Sequence, residues 1–217
     1  MTAPVSIFTR NDLDIPLGKW LAQVSHAYGM ALINVNGPSR PWPELSLPNI
    51  EIHPKPYTEV KAMASNGGVM IIDNGLTCFQ GKTPTCASFW NGTKISLPPR
   101  PDENANTRYR QGIFCFRKTT MTEIELMKQV AIASTAVWLK PQHQHCPTLA
   151  AWLNTDFGKL CLGTKKASAF GRLRQELSNS GVAFLEFGTD IIVTYPMEDQ
   201  HLQTFTRLPN FRLLDTL

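Results

Sequence analysis

The sequence lacks any uninterrupted apolar run of about 18 residues, the length at which a membrane-spanning helix is expected. The N-terminus has no basic start, no long apolar stretch and no small-residue cleavage site, so no secretory signal is predicted. The five cysteines show no Cys-x-x-Cys spacing, and an odd number of scattered thiols is typical of reduced, buried cysteines. These absences predict a cytoplasmic protein that has no membrane partner and no disulfide framework.

Charge is modest and unevenly distributed. A content of 18% charged and 42% hydrophobic residues is typical of a folded globular chain. In residues 1–105, eight Lys and Arg balance eight Asp and Glu, so the net charge of +4 lies entirely in residues 106–217. The second half is therefore the better candidate surface for a polyanion such as RNA, with ordinary solvated side chains as the alternative.

The same order of predicted elements occurs twice, on either side of a Pro- and Asn-rich linker at 96–106. The first copy has strands at 5–10, 50–53, 69–72 and 85–89 and helices at 16–33 and 57–65. The second copy has strands at 112–117, 159–163, 182–187 and 191–195 and helices at 122–139 and 167–177.

This repetition predicts an α/β fold made of two tandem small α/β sandwich modules, at 1–100 and 107–217. Each module would have a mixed four-stranded sheet with helices on its faces. The two would pack as a pseudo-dimer, giving a monomer with an internal pseudo-twofold axis rather than a homodimer. The identity between the copies is low, and the alternative is a single α/β domain of about six to eight strands.

The first predicted helix carries three polar residues on one face. Lys19, Gln23 and His26 are spaced by four and three residues. Gly18 and Lys19 open the helix, where unpaired backbone N–H groups favour an anion, and a lysine there can hold a phosphate or stabilise an oxyanion. Taken singly, an exposed lysine and a structural histidine are the simpler interpretations.

A second polar group follows the apolar strand at 69–72. Asp73 lies at the end of this strand, where open α/β sheets bind ligands, although Asp-Asn-Gly is also a common tight turn. Lys82 and Thr85 follow in the segment GKTPT, whose hydroxyls are suited to positioning a water or holding a phosphate.

Together these segments resemble a known family. FTRNDLDIPLGKWLAQVSHA resembles the first strand and helix of the type 2 peptidyl-tRNA hydrolases, whose pattern is Arg-x-Asp-Leu followed by Gly-Lys-x-Ala-Ala-Gln-x-x-His-Ala. IIDNGLTCFQGKTPT resembles the family's Asp-Ala-Gly-Arg-Thr segment and the threonine beyond it. IIVTYPMEDQHLQTFTRLPNFRLL resembles its C-terminal strand, proline, short helix and final strand. The resemblance implies hydrolysis of the ester between a peptide and the 3′ end of tRNA, with no cofactor and no metal.

The family's active-site residues fall on matching positions of the first copy. The catalytic set that the resemblance implies is Lys19, His26, Asp73, Thr77 and Thr85. The substrate-binding set in this copy is Gln23, Gly75 and Lys82. Asp73, directly or through a threonine, would deprotonate a water, and Lys19 would stabilise the oxyanion or hold the terminal phosphate.

Two departures from the family pattern affect the expected substrate. Leu76 stands where the family has arginine, and Asn74 replaces a small residue. A long loop, 35–49, also precedes the second strand. The missing arginine leaves two further interpretations open: a non-catalytic RNA- or protein-binding module of the same superfamily, and a hydrolase of another acylated substrate.

The second copy has lost the catalytic set. Glu125 aligns with Lys19, Ile132 with His26 and Glu186 with Asp73. We therefore expect a structural module whose basic residues contact tRNA. The residues expected to make this contact are Lys165, Lys166 and Arg172, with Arg108, Arg110 and Arg174 beside them.

One further segment, His143-Gln144-His145-Cys146, contains zinc-ligand residue types. A fourth ligand at the usual spacing is missing, so a polar loop is expected and no metal site is predicted.

Overall fold

A computed structural model describes most of the chain. The described residues are 3–36, 47–74, 78–90, 108–139, 147–153, 157–208 and 211–214. They contain two mixed β-sheets with helices packed on them, which confirms the predicted α/β class. The predicted linker at 96–106, the segment from His143 to Cys146, and the candidate residues Gly75 and Thr77 lie outside the described residues.

The first half of the chain forms one four-stranded sheet. Its elements are β1 (Val5–Arg10), α1 (Leu17–Asn36), β2 (Ile50–Lys55), α2 (Tyr57–Ser65), β3 (Val69–Asp73) and β4 (Thr83–Phe89). The strand order is β2-β1-β4-β3, with β1 parallel to β2 and antiparallel to β4, and β4 antiparallel to β3. Helices α1 and α2 both pack on these strands, as the sequence predicts.

The second half forms a larger sheet. Its elements are β5 (Tyr109–Phe116), α3 (Glu123–Leu139), α4 (Pro147–Leu153), β6 (Gly158–Thr164), α5 (Ala167–Asn179), β7 (Phe184–Phe187), β8 (Ile191–Thr194), β9 (Met197–Glu198), α6 (Asp199–Thr206) and β10 (Arg212–Leu213). The strand order is β10-β6-β5-β8-β7, and β9 pairs with β5. The predicted four-stranded sheet is wrong for this half, because β9 and β10 extend it to six strands. Each is two residues long, too short for a period-two pattern to reveal.

The four principal strands of each half follow the same order. The order across the first sheet is β2-β1-β4-β3, and the order across the second is β6-β5-β8-β7, so each strand has its counterpart at the same place. The first two strands are parallel and the remaining neighbours antiparallel in both sheets. The strands form two separate sheets, one in each half of the chain.

The main core lies between the halves. Helices α1 and α3 pack against each other, α1 also contacts β6 of the second sheet, and α3 contacts β2 of the first. Fully buried alanines on both helices permit close approach, since interaxial distance depends on side-chain size; they are Ala27, Ala31, Ala131 and Ala133. One continuous apolar cluster takes side chains from both sheets and both helices, among them Ile7, Leu21, Ile52, Ile113, Val130, Cys161 and Val193.

The other face of the second sheet has its own core. Phe114, Leu162 and Ile192 of the strands pack there with side chains of α5 and α6. Among the helices of the described part of the chain, none is long and apolar enough to cross a membrane.

Candidate active site

A cleft of about 280 Å³ lies where the first half meets the second. Lys19, Gln23 and His26 line it from α1, as their shared helix face predicts, and Asp73 lines it from the end of β3. Lys159 of β6 belongs to the opposite wall. The cleft is therefore built from both halves of the chain.

Asp73 is held by two side chains of α1. Lys19 Nζ lies 2.6 Å from Asp73 Oδ2, and Gln23 Nε2 donates to the same oxygen over 2.7 Å. Asp73 is only 5% exposed, and a buried carboxylate is costly unless it is paired and hydrogen-bonded. Lys19 and Gln23 supply both requirements, so the two polar segments singled out in the sequence form one group.

A β-bulge places Thr85 beneath this group. Ile71 pairs with Cys86 and Ile72 with Pro84, so no residue of β3 lies opposite Thr85 in the strand register. Pro84 has no N–H to donate, and prolines within sheets are confined to edges and bulges. The Pro in GKTPT is the sequence signal for this irregularity, and β4 begins at 83 rather than at the predicted 85.

Thr85 orients Gln23 and does not reach the cleft. Its hydroxyl lies 2.9 Å from Gln23 Oε1 and 3.2 Å from the carbonyl of Ile71. With Oε1 accepting from Thr85, the amide nitrogen of Gln23 is directed to Asp73. Because Thr85 is fully buried and does not line the cleft, the water-positioning role that its hydroxyl suggested is replaced by a supporting one.

His26 connects α1 to the second half. Its Nε2 lies 2.7 Å from the carbonyl oxygen of Phe157, and the two rings are 5.3 Å apart. Burial lowers the pKa of His26 well below its usual value of 6.5, the charge of Lys159 lowers it further, and the Phe157 carbonyl opposes both. The imidazole is therefore neutral at pH 7.

Phe157 has an unusual backbone conformation. Its φ is 53°, a left-handed conformation that costs a residue other than glycine roughly 1–3 kcal/mol. The ring lies 4.1 Å from that of Trp152, and Lys159 Nζ lies 3.7 Å from its centroid. Sequence reasoning missed Phe157 and Lys159, because no local pattern shows that they face a helix more than a hundred residues away.

The start of α1 is not the open anion site that the sequence predicts. The N–H of Gly18 donates to the carbonyl of Leu214 over 2.5 Å, and those of Lys19 and Trp20 lie 2.9 and 3.2 Å from the carbonyl of Pro16. A Cβ at position 18 would stand 2.9 Å from the Leu214 carbonyl oxygen, so glycine is needed for this close approach. The prediction of unpaired N–H groups was wrong, because the Leu214 carbonyl accepts from the first of these three N–H groups and the Pro16 carbonyl accepts from the other two. The positive charge here comes from the Lys19 side chain.

Other predicted binding residues lie away from the cleft. Lys82, Lys165, Lys166 and Arg172 are exposed, and none of them lines it. Lys165 is six residues beyond Lys159 along β6 and its end, about 20 Å at the usual rise per strand residue. Of the basic residues expected to track RNA, Arg110 does line the cleft, and it also pairs with Asp199 at 3.4 Å.

The matching positions of the second half have structural contacts. Glu125 accepts hydrogen bonds from the N–H and the hydroxyl of Thr122, at 2.7 and 2.8 Å, in a capping box at the start of α3. Glu186 pairs with Arg174 at 2.6 Å. Neither carboxylate lines the cleft.

Two other kinds of site, one with a cysteine nucleophile and one with a metal ion, find little support in the described residues. Cys161 lines the cleft, but burial raises the pKa of its thiol to about 12, so it is not a thiolate at pH 7. Within the same ranges, no group of three His, Cys, Asp or Glu side chains is placed to hold a metal ion.

Comparison with protein-family models finds no match to this chain, and comparison with curated proteins finds none either. The resemblance to the type 2 peptidyl-tRNA hydrolases therefore stays a prediction. It rests on the quoted segments of the first half and of the C-terminus.

Proposed function

We propose that the protein hydrolyses the ester that joins a peptide to the 3′ ribose of tRNA. The observation that carries the proposal is the group formed by Lys19, Gln23 and Asp73 on the wall of the cleft. It combines a carboxylate able to accept a proton with an ammonium group 2.6 Å away, in a site where 5% of Asp73 is exposed. Low exposure strengthens the electrostatic effect of both groups.

In the proposed reaction Asp73 is the general base. As the oxygen of a water forms a bond to the ester carbonyl carbon, its proton passes to the Asp73 carboxylate. The Lys19 ammonium has three donors, so it can hold Asp73 and stabilise the tetrahedral oxyanion together. When the intermediate collapses, the bond to the ribose oxygen breaks and that oxygen takes the proton from Asp73. The products are a free peptide acid and a tRNA with a free 3′ end.

The charge of the cleft suits a nucleic acid. Lys19, Lys159 and Arg110 line it, and Asp73 is the acidic residue among the described side chains that do so. A cleft with surplus positive charge concentrates an anionic substrate, and phosphates supply most of the affinity of nucleic acids for proteins. Lysine and arginine side chains in this position are suited to bind the terminal phosphates of tRNA.

We also propose that the chain is a pseudo-dimer of two fused modules within one monomer. Three observations support it: the shared strand order of the two sheets, the packing of α1 against α3, and the crossed contacts of α1 with β6 and of α3 with β2. In this arrangement the second module has lost its own catalytic set and serves as a wall of the first module's site.

The alternative is a non-catalytic RNA-binding module. It is favoured by the contact between Lys19 and Asp73, because an ion pair at 2.6 Å is also a common way to bury a charge. In that case Lys19 and Asp73 would stabilise the junction of α1 and β3 without acting on a substrate.

Turnover of a defined substrate tests the proposal. The purified full chain is incubated with N-acetyl-aminoacyl-tRNA, and release of the N-acetyl amino acid is measured. We expect multiple turnovers that are lost in Asp73→Asn, whereas Glu186→Gln, an exposed residue outside the cleft wall, keeps most of the rate. Binding of tRNA without turnover would favour the RNA-binding module. Cleavage of small acyl esters alone would favour a different acylated substrate.

A further inference from the structure

The contact between His26 and Phe157 determines which nitrogen of the imidazole carries the proton. A carbonyl oxygen can only accept, so Nε2 of His26 must donate across the 2.7 Å contact. Because the ring is neutral at pH 7, its other nitrogen, Nδ1, has no proton and presents a lone pair directed away from Phe157. His26 is also one of the residues that line the cleft.

The carbonyl of Phe157 is held in place by its side chain. Among the residues that the structure describes, Phe157 is the one non-glycine residue with positive φ. Phe157 is 8% exposed, and its ring contacts both the ring of Trp152 and the ammonium of Lys159, which also lies over Trp152. A strained conformation persists only where the surroundings hold it, and such residues concentrate at functional sites.

The charges around His26 favour the same neutral state. Lys159 acts on it from β6 and Lys19 lies on its own helix, so protonation would add a third positive charge near two lysines. Asp73 is engaged with Lys19 and Gln23. His26 is thus set up as an acceptor of hydrogen bonds at pH 7.

We propose that Phe157, a residue of the second half, is a positioning residue for the first half's site: its carbonyl fixes His26 as the Nε2-protonated tautomer, so that Nδ1 accepts a hydrogen bond from a substrate hydroxyl. This rests in part on the proposed function, in which that hydroxyl is the free ribose hydroxyl beside the ester. A hydroxyl at this place distinguishes ribose from deoxyribose. The second half would then add selectivity for RNA ends to a site whose reacting groups belong to the first half.

Nitrogen-15 NMR of the histidine ring tests the positioning step without any substrate. The NMR signals of His26 are assigned as those that are absent from the spectrum of His26→Gln. At pH 7 we expect the wild-type His26 ring to be neutral and protonated at Nε2. Phe157→Gly keeps a backbone that tolerates positive φ but removes the ring contacts, and should give a mixture of tautomers. The control is Phe116→Leu. Phe116 packs on Phe170 in the core on the other face of the second sheet, with 6.3 Å between the ring centroids, so its replacement should leave the His26 spectrum unchanged.

Two spectra would overturn the positioning role. One is a wild-type His26 that is charged or protonated at Nδ1, and the other is an unchanged tautomer in Phe157→Gly. If Phe157→Gly does not fold, Phe157→Asn replaces it, because Asn also visits the left-handed region. The same tautomer mixture is expected.

Kinetics test the hydroxyl contact. Wild type should cleave an acylated tRNA ending in ribose about fivefold to tenfold faster than one ending in 2′-deoxyribose, the scale of one neutral hydrogen bond. His26→Gln and Phe157→Gly should both lose this preference, and the double variant should lose no more than His26→Gln alone, because Phe157 acts through His26. Additive losses, or a wild type that is indifferent to the hydroxyl, would overturn the contact. Absence of turnover with the expected tautomer would count against the proposed function and support the positioning step.

Discussion

The two halves of the chain share a strand order and differ in what their matching positions do. In the first half, Lys19 and Asp73 meet on the wall of a cleft. In the second, Glu125 caps α3 and Glu186 pairs with Arg174 at the surface. The same strand order therefore accommodates either an ion pair on a cleft wall or ordinary helix and surface contacts, and the difference lies in a few side chains.

Both halves also bury polar side chains beside their central helix. In the first, Thr85 and Gln23 lead to the charged pair of Lys19 and Asp73. In the second, Gln111 and Ser134 hydrogen-bond to each other across β5 and α3, both 1% exposed or less. A buried amide is satisfied in each case, but only the first network is connected to an ionised pair facing a cleft.

Removal of the charged pair should give the largest effect. Asp73→Asn keeps the shape and removes the base, and Lys19→Ala removes the cation at the developing oxyanion. Each should lower kcat/KM for N-acetyl-aminoacyl-tRNA by at least about a hundredfold, the scale of general-base and oxyanion contributions. Thermal unfolding of both variants is the control, and a rate within tenfold of wild type would remove these residues from the reaction.

The pH dependence of stability should show how His26 is held. Its pKa is lowered in the folded state, so below about pH 6.5 the unfolded chain binds a proton that the folded chain does not, and the free energy of unfolding falls as pH falls. Between pH 7 and 5 wild type should lose up to about 1.4 kcal/mol per pH unit more than His26→Gln. His201→Gln, an exposed histidine of α6, is the matched control and should follow wild type. Parallel curves for wild type and His26→Gln would contradict the assignment.

Part of this arrangement could be predicted from the sequence. The spacing of Lys19, Gln23 and His26 fixes their shared helix face, and an acidic residue after the apolar strand VMII places Asp73 at the sheet edge. Local periodicity is enough for both. The cleft wall that includes Lys159 and Leu214, and the contact of Phe157 with His26, could not be predicted, because they depend on how distant segments pack and leave no periodic trace in the sequence.

Charge reversal should separate the two halves in tRNA binding, with a smaller effect. Lys165→Glu with Lys166→Glu should raise the Kd several-fold and lower the salt slope by about two, if each lysine neutralises one phosphate. Lys55→Glu with Lys61→Glu, in the neutral half, is the control pair and should change both less. Equal effects would show that the surplus charge of the second half does not direct tRNA. If neither pair of substitutions changes the Kd, the lysines left as tRNA contacts are those of the cleft, Lys19 and Lys159.

Asp73 and its matching carboxylate in the second half, Glu186, can be compared on one substrate. Cleavage rates of N-acetyl-aminoacyl-tRNA are measured side by side for wild type, Asp73→Asn and the matching Glu186→Gln. We expect a loss of at least about a hundredfold for Asp73→Asn and less than about threefold for Glu186→Gln, because only Asp73 lies in the cleft beside a cation. Equal losses from the two variants, or an active Asp73→Asn, would contradict a single active site in the first half.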